Sequence, residues 1–331
     1  MKKTILYFVL LLSTSFLFAQ GSITFNPLTP SVNNGIVDFT FDLDGGGAEY
    51  NLSVEVSFDN GDNWSDIPAA DLTGQLGNVT PTAGISLEWN AMASFPGQVT
   101  SNALLRVTAR HVCETSFSFT YRGSSVTYGT VSKTYNIGGD DVTLCWMDRN
   151  LGAEDITTFN LEDASGNTDE RLYGDLFQWG RLDDGHQDRT STTTSTLSIT
   201  DDPGHGNFIT VGGSPFDWRD DNNDNRWNAN PQENNPCPSG WRVPTEAELN
   251  AERESWDTNN SAGAYASTLK WPVGGGRLGS GTLSFVGSFG VVWSSSVSGS
   301  VASYLDFSSG GASMGSGGRA NGMSVRCVRD N

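Results

Sequence analysis

The segment DDNNDNRW (220–227) places three oxygen-bearing side chains at alternate positions, which is the spacing of calcium-binding loops. Asp220, Asn222 and Asp224 supply the carboxylate and amide oxygens that Ca²⁺ prefers. The EF-hand glycine is absent, Arg226 stands two positions after Asp224, and no acid follows at the closing position. The segment is therefore open to two interpretations, a Ca²⁺ site and a hydrated turn.

Two histidines lie in glycine-flanked loops beside acids, His186 in DDGHQD and His205 in DPGHGN. An imidazole in such a loop can ligate a metal or act as a base, and it can equally anchor the loop by hydrogen bonds. The sequence carries no nucleophile elbow, no zinc-protease helix motif and no phosphate-binding loop. We therefore expect no catalytic residue and no enzyme activity, and the role of both histidines stays open.

The chain begins with the features of a secretory signal peptide over residues 1–19. Lys2 and Lys3 precede an apolar run that ends at the small residue Ala19, after which we expect cleavage. No second long apolar stretch follows, so the sequence predicts a secreted or surface-displayed protein without membrane insertion. The formal net charge of −19 makes nucleic acid a poor partner.

Four cysteines follow the expected signal peptide: Cys113, Cys145, Cys237 and Cys327. An even number of cysteines in an exported chain favours disulfide bonds over metal ligation. No two of them are separated by two residues, so a zinc site is not expected. Four cysteines allow three pairings, and their positions alone do not select one.

Residues 21–112 have the pattern of a β domain. The stretches 36–43, 52–58 and 103–109 alternate apolar and polar residues, and turn-forming residues separate them. Short strands separated by turns over about 90 residues favour an immunoglobulin-like or fibronectin-like β-sandwich. Within it, SFDNGDNW (57–64) fits the Asp-box pattern, which predicts a hairpin turn.

The composition changes near residue 113. Residues 115–137 predict further short strands, after which Gly, Asn, Asp and Trp dominate. The one segment that predicts a helix is PTEAELNAERESW (244–256), in which Thr245 and Glu248 have the spacing of a capping box. Eight of the ten tryptophans lie in this second part, where large side chains are needed to form the core of a loop-rich fold.

Eight segments of the second part carry a family resemblance. They are VTYGTV (126–131), CWMDRNLGAE (145–154), YGDLFQWGRLDDGHQ (173–187), DDPGHGNFI (201–209), DWRDDNNDNRWN (217–228), NPCPSGWRVPTEAEL (235–249), GSFGVVWSSS (288–296) and NGMSVRCVRD (321–330). In this order they resemble the Fibrobacter succinogenes major paralogous domain, a bacterial extracellular family. That family is similar to the C-type lectin fold of the formylglycine-generating-enzyme type. The resemblance implies a loop-rich α+β C-type-lectin-like domain over residues 113–331.

The same resemblance implies a disulfide pairing. Cys237 enters the helix-bearing segment and pairs with Cys327 on the last strand, which leaves Cys113 to pair with Cys145. Oxidase chemistry of the formylglycine-generating kind needs active-site cysteines that bind copper. Because all four cysteines are assigned to disulfides, we do not expect that chemistry.

Ligands of C-type-lectin-like folds often meet irregular loops and strands near the C-terminus, which the resemblance places at residues 293–327. This stretch is rich in Ser and Gly, and the larger side chains within it are the candidate ligand residues Trp293, Tyr304, Phe307, Arg319 and Asn321. A glycine-rich connection without a binding role is the alternative. The Glu-Pro-Asn triplet of animal lectins is absent from the sequence.

The expected function is recognition of polysaccharide, or of another cell-surface ligand such as a protein, and this expectation rests on fold analogy. The alternatives are an extracellular carbohydrate hydrolase that uses an Asp/Glu pair and a purely structural surface component. A glycan-binding protein predicts exposed Trp and Tyr side chains in a groove. A hydrolase predicts two carboxylates roughly 5–10 Å apart across a cleft, and a structural component predicts neither.

Overall fold

The structure is a computed structural model that describes residues 22–26, 30–44, 49–98, 103–154, 170–214, 216–221, 223–229 and 231–329. The expected signal peptide (1–19) lies outside the described residues. Strands make up 43% and helices 10% of the structure, so the protein is mainly β, as was expected of its first domain. The chain divides into two compact units, the first ending at Val112 and the second running from Cys113 to Asp330.

No helix in the described ranges is both long enough and apolar enough to cross a membrane.

The first unit is built from short antiparallel strands. Its elements are β1 (Ser22–Phe25), β2 (Ser31–Asn33), β3 (Ile36–Asp44), β4 (Tyr50–Ser57), β5 (Ser65–Asp66), a 3₁₀ turn (Ala69–Asp71), β6 (Leu72–Gly74), β7 (Asn78–Val79), β8 (Thr82–Asn90), α1 (Ala91–Ser94) and β9 (Leu104–His111). One sheet has the order β1-β3-β8-β6, with β2 beside β3, and the other has the order β5-β4-β7, with β9 beside β4.

Alternation of side chains gives each of these sheets one buried face. On β3 every second residue from Val37 to Leu43 is buried, and on β4 the same holds from Leu52 to Val56. These residues and the buried side chains of β8 and β9 form a single hydrophobic cluster. Since successive strand residues point to opposite faces, the period-2 pattern of the sequence places this core.

The Asp-box residues form the turn between β4 and β5. Ser57 Oγ donates to Asp59 Oδ1 at 2.7 Å, and the backbone N–H groups of Gly61 and Asn63 donate to Ser57 Oγ and Asp59 Oδ1 at 2.8 and 2.9 Å. The Asn63 side chain and N–H, together with Ser57, lower the pKa of Asp59 to about 2. The predicted hairpin is present, and its carboxylate is used to hold the turn.

The second unit is richer in loops. Its strands are β10 (Ser116–Tyr121), β11 (Ser124–Ile137), β12 (Asp140–Met147), β13 (Phe177–Gln178), β14 (Thr193–Thr194), β15 (Phe208–Ile209), β16 (Trp241–Arg242), β17 (Gly276–Arg277), β18 (Leu283–Ser284), β19 (Phe289–Ser298), β20 (Val301–Ser308), β21 (Gly311–Gly317), β22 (Gly322–Met323) and β23 (Val328–Arg329). Its helices are α2 (Asn225–Asn228), α3 (Glu246–Glu254) and α4 (Ser261–Ala266), with a 3₁₀ turn at Glu170–Leu172. The sheets have the orders β10-β11-β12-β23-β16, β13-β22-β17-β18, β14-β15 and β19-β20-β21.

Helix α3 begins with the predicted capping box. Thr245 Oγ1 accepts a hydrogen bond from the Glu248 N–H at 3.3 Å, and Glu248 Oε2 accepts one from the Thr245 N–H at 2.7 Å. Arg242 donates to both Glu248 oxygens at 2.8 and 2.6 Å. Burial opposes ionisation of Glu248, but Arg242 and Thr245 outweigh it and lower the carboxyl pKa. Glu248 is therefore a helix-start and ion-pair residue.

Arginine and tryptophan side chains alternate through the core of the second unit. In order they are Arg181, Trp218, Arg226, Trp179 and Arg319, with guanidinium carbons 5.5, 5.0, 5.6 and 4.7 Å from successive ring centroids. We call these five residues the Arg–Trp stack. Its three positive charges are opposed by three carboxylates: Asp217 lies 2.6 and 3.6 Å from Arg226 Nη2 and Arg319 Nη1, Asp184 pairs with Arg181, and Asp224 pairs with Arg319. Cation–π contacts of this kind are strongest where water is excluded.

Both disulfides implied by the family resemblance are present. Cys113 is bonded to Cys145, and Cys237 is bonded to Cys327, with sequence separations of 32 and 90. The second bond joins the segment before β16 to the residue before β23, and these two strands are neighbours in one sheet. Disulfides are typical of oxidising compartments, so both bonds are compatible with an extracellular location.

Candidate functional site

The sheet β19-β20-β21 has one face in the core at Leu305 and Phe307, whereas its other face is buried at Trp293 and partly open to solvent around Asp306. On β20, Leu305 and Phe307 are buried, whereas the alternate residues Tyr304 and Asp306 are partly exposed. Cross-strand register places Val291 of β19 and Ser313 of β21 next to Asp306. Directly paired residues of an antiparallel sheet point to the same side. The partly open face is thus formed by side chains from all three strands.

We call this surface the outer sheet face. It consists of Phe289, Val291, Tyr304, Asp306 and Ser313, together with Phe285, whose ring centroid lies 5.2 Å from that of Phe289.

Tyr304 lies flat against two glycines of β21. A Cβ atom built on Gly315 or Gly317 would lie 3.0 or 3.1 Å from the Tyr304 ring, so the missing side chains make room for it. On its other side the ring meets Trp293 edge to face, with centroids 5.9 Å apart. Burial and the nearby Asp306 raise the pKa of the Tyr304 hydroxyl, which therefore stays protonated near neutral pH and can donate a hydrogen bond.

Phe285 extends the aromatic surface into solvent. It is 59% exposed, although most phenylalanines of the described chain are at least partly buried. Its backbone has φ of 62°, a left-handed conformation that is strained for a bulky side chain. The backbone N–H groups of Ser288 and Phe289 both donate to the Phe285 carbonyl at 3.0 Å, and these bonds hold the turn that presents the ring.

The outer sheet face also carries one hydrogen-bond acceptor with free capacity. Ser313 Oγ donates to Asp306 Oδ1 at 2.7 Å. The second oxygen, Oδ2, receives no hydrogen bond from any residue that the structure describes. A carboxylate has about four acceptor sites, so Asp306 can accept hydrogen bonds from a ligand that lies on the neighbouring rings.

Three of the five ligand residues expected from the sequence are buried, so the expectation that they contact a ligand is corrected. The Trp293 indole N–H donates to the Phe177 carbonyl at 2.8 Å. Phe307 occupies the space next to Gly290, where a Cβ would lie 2.0 Å from its ring. Arg319 ends the Arg–Trp stack and pairs with Asp224. All three have an exposed fraction of 0%.

The other two expected residues differ in position. Tyr304 lies on the outer sheet face, whereas Asn321 is partly buried and accepts the Gly279 N–H on Oδ1 at 2.7 Å. Sequence reasoning missed Phe285, Phe289, Val291 and Asp306. Phe289, Val291 and Asp306 could have been found from the period of two residues along a strand. This period places 289 with 291 on one face of β19, and 306 with Tyr304 on one face of the adjacent β20.

The proposed Ca²⁺ loop does not bring three free oxygen ligands together in the described residues. The Asp224 carboxylate is paired with Arg319, a cation that competes directly with a metal ion. Asp220 is exposed, and Asn222 lies outside the described residues. Where the chain is described, no group of three or more His, Cys, Asp and Glu side chains is placed to hold a metal.

His186 anchors its loop through both ring nitrogens. Its Nδ1 lies 2.7 Å from Asp184 Oδ1, and its Nε2 accepts the Gln178 backbone N–H at 2.9 Å. Complete burial lowers the pKa of His186 to about 4, although Asp184 opposes that shift. His205 is exposed, and its Nδ1 accepts the Asn207 N–H at 3.2 Å. Neither histidine faces a nucleophile in the described chain.

The buried carboxylates are held by internal donors. Among described residues they are Asp175, Asp217, Glu248 and Glu252. Asp217 and Glu248 face arginines, and Glu252 receives Lys133 Nζ at 2.6 Å. Asp175 accepts the Tyr121 hydroxyl at 2.7 Å, and burial raises its pKa. Each of these groups has a structural role in the core.

Nine of the ten tryptophans are buried, and Trp64 of the first unit is partly buried. The groove of exposed tryptophans that a glycan-binding protein predicts is therefore not found in the structure. The accessible aromatic side chains of the second unit include Phe285 and Tyr304 on the outer sheet face and Phe216, which lies against Gly318. The outer sheet face is the candidate site because it combines aromatic rings with a free acceptor.

Comparisons of the chain with protein-family models, with curated proteins and with solved structures found no match.

Proposed function

We propose that this chain is an exported, non-enzymatic binding protein that recognises polysaccharide at the cell surface through the outer sheet face. In this proposal the first unit is an immunoglobulin-like or fibronectin-like β-sandwich. The second unit is a C-type-lectin-like domain of the Fibrobacter succinogenes major paralogous type. The observation that carries the proposal is that Tyr304 and Asp306 share one face of β20, while the exposed ring of Phe285 packs on Phe289 of the same face.

The chemistry of the outer sheet face suits a sugar chain. Aromatic rings offer flat apolar surfaces on which the C–H faces of pyranose rings can pack. The Tyr304 hydroxyl can donate a hydrogen bond and Asp306 Oδ2 can accept one, which matches the hydroxyl groups of a sugar. Binding surfaces commonly combine apolar area with a few well-placed polar groups in this way.

Two observations support export. The residues 1–19 have the composition of a signal peptide, and the described chain contains two disulfides. Both bonds lie in the second unit, where short strands leave much of the backbone in loops. Covalent closure of such a unit is an advantage outside the cell.

The competing functions make different demands on the structure. A hydrolase needs an acid and a base or nucleophile that face a bound sugar. The four buried carboxylates of the described chain are engaged by Arg, Lys, Tyr and Trp donors, which favours a structural role for them. A purely structural component would not need the strained backbone that holds Phe285 in solvent.

The test is a binding survey of the mature protein against a panel of soluble polysaccharides by affinity gel electrophoresis. Tyr304→Ala and Phe285→Ala are expected to weaken binding at least about fivefold each, because each removes an aromatic contact. Ile199→Ala is the matched control, since Ile199 is 75% exposed in the same unit but is not part of the outer sheet face. Parallel runs with Ca²⁺ and with EDTA test whether binding depends on a metal ion at the 220–224 loop.

The outcomes separate the candidates. Polysaccharide binding that both aromatic variants lose and the Ile199 variant keeps supports the proposal. Retention of binding in both aromatic variants, or absence of binding to every polysaccharide, overturns it. Release of reducing sugars during incubation favours the hydrolase instead.

A further inference from the structure

Strand β21 forms an open edge of its sheet. It pairs with β20 along all seven residues from Gly311 to Gly317, and no other described strand pairs with it. An edge strand presents unpaired N–H and C=O groups that can pair with another chain. The edge of β21 is therefore a surface distinct from the outer sheet face, which is formed by side chains.

The backbone of β21 directs specific groups to this edge. Asn259 Nδ2 donates to the Ala312 carbonyl at 2.9 Å, which shows that the polar groups of Ala312 point away from β20. In an antiparallel ladder this orientation alternates, so those of Met314 and Ser316 also point outwards. No described residue outside the strand pair bonds to the backbone of Met314 or Ser316. The edge thus offers two N–H donors and two C=O acceptors in line.

Asn259 covers the edge at Ala312, but the sequence of β21, GASMGSG, carries no lysine or proline that would block the rest of it. Natural proteins block such edges with lysines, prolines, bulges or very short strands. Here the register with β20 continues without a bulge, and three of the seven residues are glycines, which leave the backbone accessible. The part of the edge at Met314 and Ser316 is therefore available to pair with another chain.

The two ends of the edge differ chemically. At the Ala312 end, exposed Asp257 lies two residues before Asn259, and Arg253 donates both to Asn259 Oδ1 at 2.9 Å and to Glu254 at 3.1 Å. At the other end, Gly318 lies against Phe216, since a Cβ on Gly318 would be 3.1 Å from Phe216 Cβ. Phe216 is 50% exposed. The edge therefore runs from a charged end, at which Asp257 is the carboxylate outside the Arg253–Glu254 pair, to an exposed ring.

We propose that the β21 edge binds an extended basic segment of another polypeptide, which adds to the sheet as a fourth strand. Backbone pairing with Met314 and Ser316 provides affinity, and a Lys or Arg of the segment near exposed Asp257 provides specificity and orientation. A second copy of this chain fits less well, because each copy carries a formal net charge of −19 and would bring its own carboxylates to the edge. This peptide site goes beyond the proposed polysaccharide function and does not depend on it.

The test uses the mature protein and a fluorescein-labelled synthetic peptide of alternating Thr and Val with a Lys at each end, followed by fluorescence anisotropy. Ser316→Pro removes one outward N–H without removing a ladder bond to β20. It is expected to weaken binding at least about fivefold, which corresponds to one hydrogen bond. Ser316→Ala keeps the N–H and is the matched control, expected to bind as the unchanged protein does.

A second set of measurements changes the peptide and leaves the protein unchanged. The same peptide with methylated backbone nitrogens at alternate positions cannot donate to the Met314 and Ser316 carbonyls and should not bind. An alternating Thr/Val peptide with Glu at each end should bind at least about tenfold more weakly, because it faces carboxylates. Equal binding of the methylated peptide, or equal binding by the Pro and Ala variants, overturns the proposal.

Analytical ultracentrifugation tests whether a second copy of this chain occupies the edge. A concentration-dependent dimer that Ser316→Pro abolishes would assign the edge to a second copy and overturn the basic-peptide occupant. Because Tyr304 and Phe285 are unchanged in these variants, their polysaccharide binding is expected to persist. Failure of the peptide site is thereby distinguished from failure of the proposed function.

Discussion

The indole N–H groups of Trp256 and Trp271 meet on one carboxylate oxygen, Oε1 of Glu252, at 2.9 and 3.0 Å. The other oxygen, Oε2, accepts the Tyr135 hydroxyl and Lys133 Nζ, both at 2.6 Å. Burial opposes ionisation of Glu252, but these donors outweigh it and lower the carboxyl pKa. One side chain of α3 thus ties the helix to β11 and to the segment after α4.

Glu252→Gln tests how much this carboxylate stabilises the second unit. An amide has one acceptor and one donor end, so at least one pair of donors loses its partner in the buried site. We expect the free energy of unfolding to fall by about 3 kcal/mol. Urea unfolding followed by tryptophan fluorescence measures it, because eight of the ten tryptophans lie in this unit. Glu254→Gln, at a side chain that is 62% exposed, should change it by less than about 0.5 kcal/mol.

His186 predicts a loss of stability between pH 7 and pH 5. Its pKa is about 4 in the folded state, against an ordinary value of 6.5. Between these values the unfolded chain binds a proton that the folded chain does not, so acid favours unfolding. The stabilisation is complete above pH 6.5 and is lost as the pH falls towards 4. Between pH 7 and pH 5 we expect this group to account for about 2 kcal/mol.

The measurement is the unfolding free energy at both pH values in the unchanged protein and in two variants. His186→Gln should be less stable at pH 7 but should lose this part of the pH dependence. The exposed His205→Gln should retain it. An unchanged pH dependence in the His186 variant would contradict the assignment to this residue.

The Arg–Trp stack predicts strong energetic coupling between Arg226 and Asp217, both of which are fully buried. Removal of either partner leaves an uncompensated charge, so Arg226→Met and Asp217→Asn should each cost about 3 kcal/mol. A double-mutant cycle should give a coupling energy of about 2 kcal/mol. The matched control is the surface pair Arg106 and Glu55, also joined by two hydrogen bonds of 2.8 Å. Its coupling energy should be below about 1 kcal/mol.

The two disulfides should contribute unequally. Replacement of Cys237 and Cys327 together by Ser frees a loop of 90 residues and is expected to cost about 4–5 kcal/mol by loop entropy. The same change at Cys113 and Cys145 frees 32 residues and should cost about 3–4 kcal/mol. Urea unfolding of the two double variants without reductant measures the loss of unfolding free energy in each. A larger loss in the Cys113/Cys145 variant would contradict the loop-entropy account.

The first unit was predictable because its strands are long enough to show periodicity. The alternation over 36–43 and 52–58 corresponds to β3 and β4. In the second unit, the capping box identified α3, whose ends lie within two residues of those predicted from 244–256. Most strands of the second unit are two residues long, and two residues carry no period. Their positions depend on long-range pairing that no local pattern encodes.

The candidate site was predicted only in part for a related reason. Tyr304 and Phe307 were expected on one surface because residues 293–327 were treated as a single ligand-facing stretch of loops and strands, without strand bounds or register. The segment forms strands, and residues three apart on a strand point to opposite faces, so Phe307 entered the core. Arg319 resembled a surface cation because its partner rings lie far away in the sequence. Only the folded structure brings Trp179 beneath it.

The order of strands in the large sheet has a consequence for biogenesis. β12 pairs with β23 through Trp146 and Val328, so a strand made early waits for a partner that follows about 180 residues later. Such non-local pairing slows folding. The large sheet can therefore be completed only after residue 329 has been synthesised, and Cys237 has no partner thiol until Cys327 follows it 90 residues later. A thiol without its partner can react with another cysteine, so Cys237 can pair with Cys113 or Cys145 before Cys327 has been made, and thiol–disulfide exchange is then the route back to the native pairing.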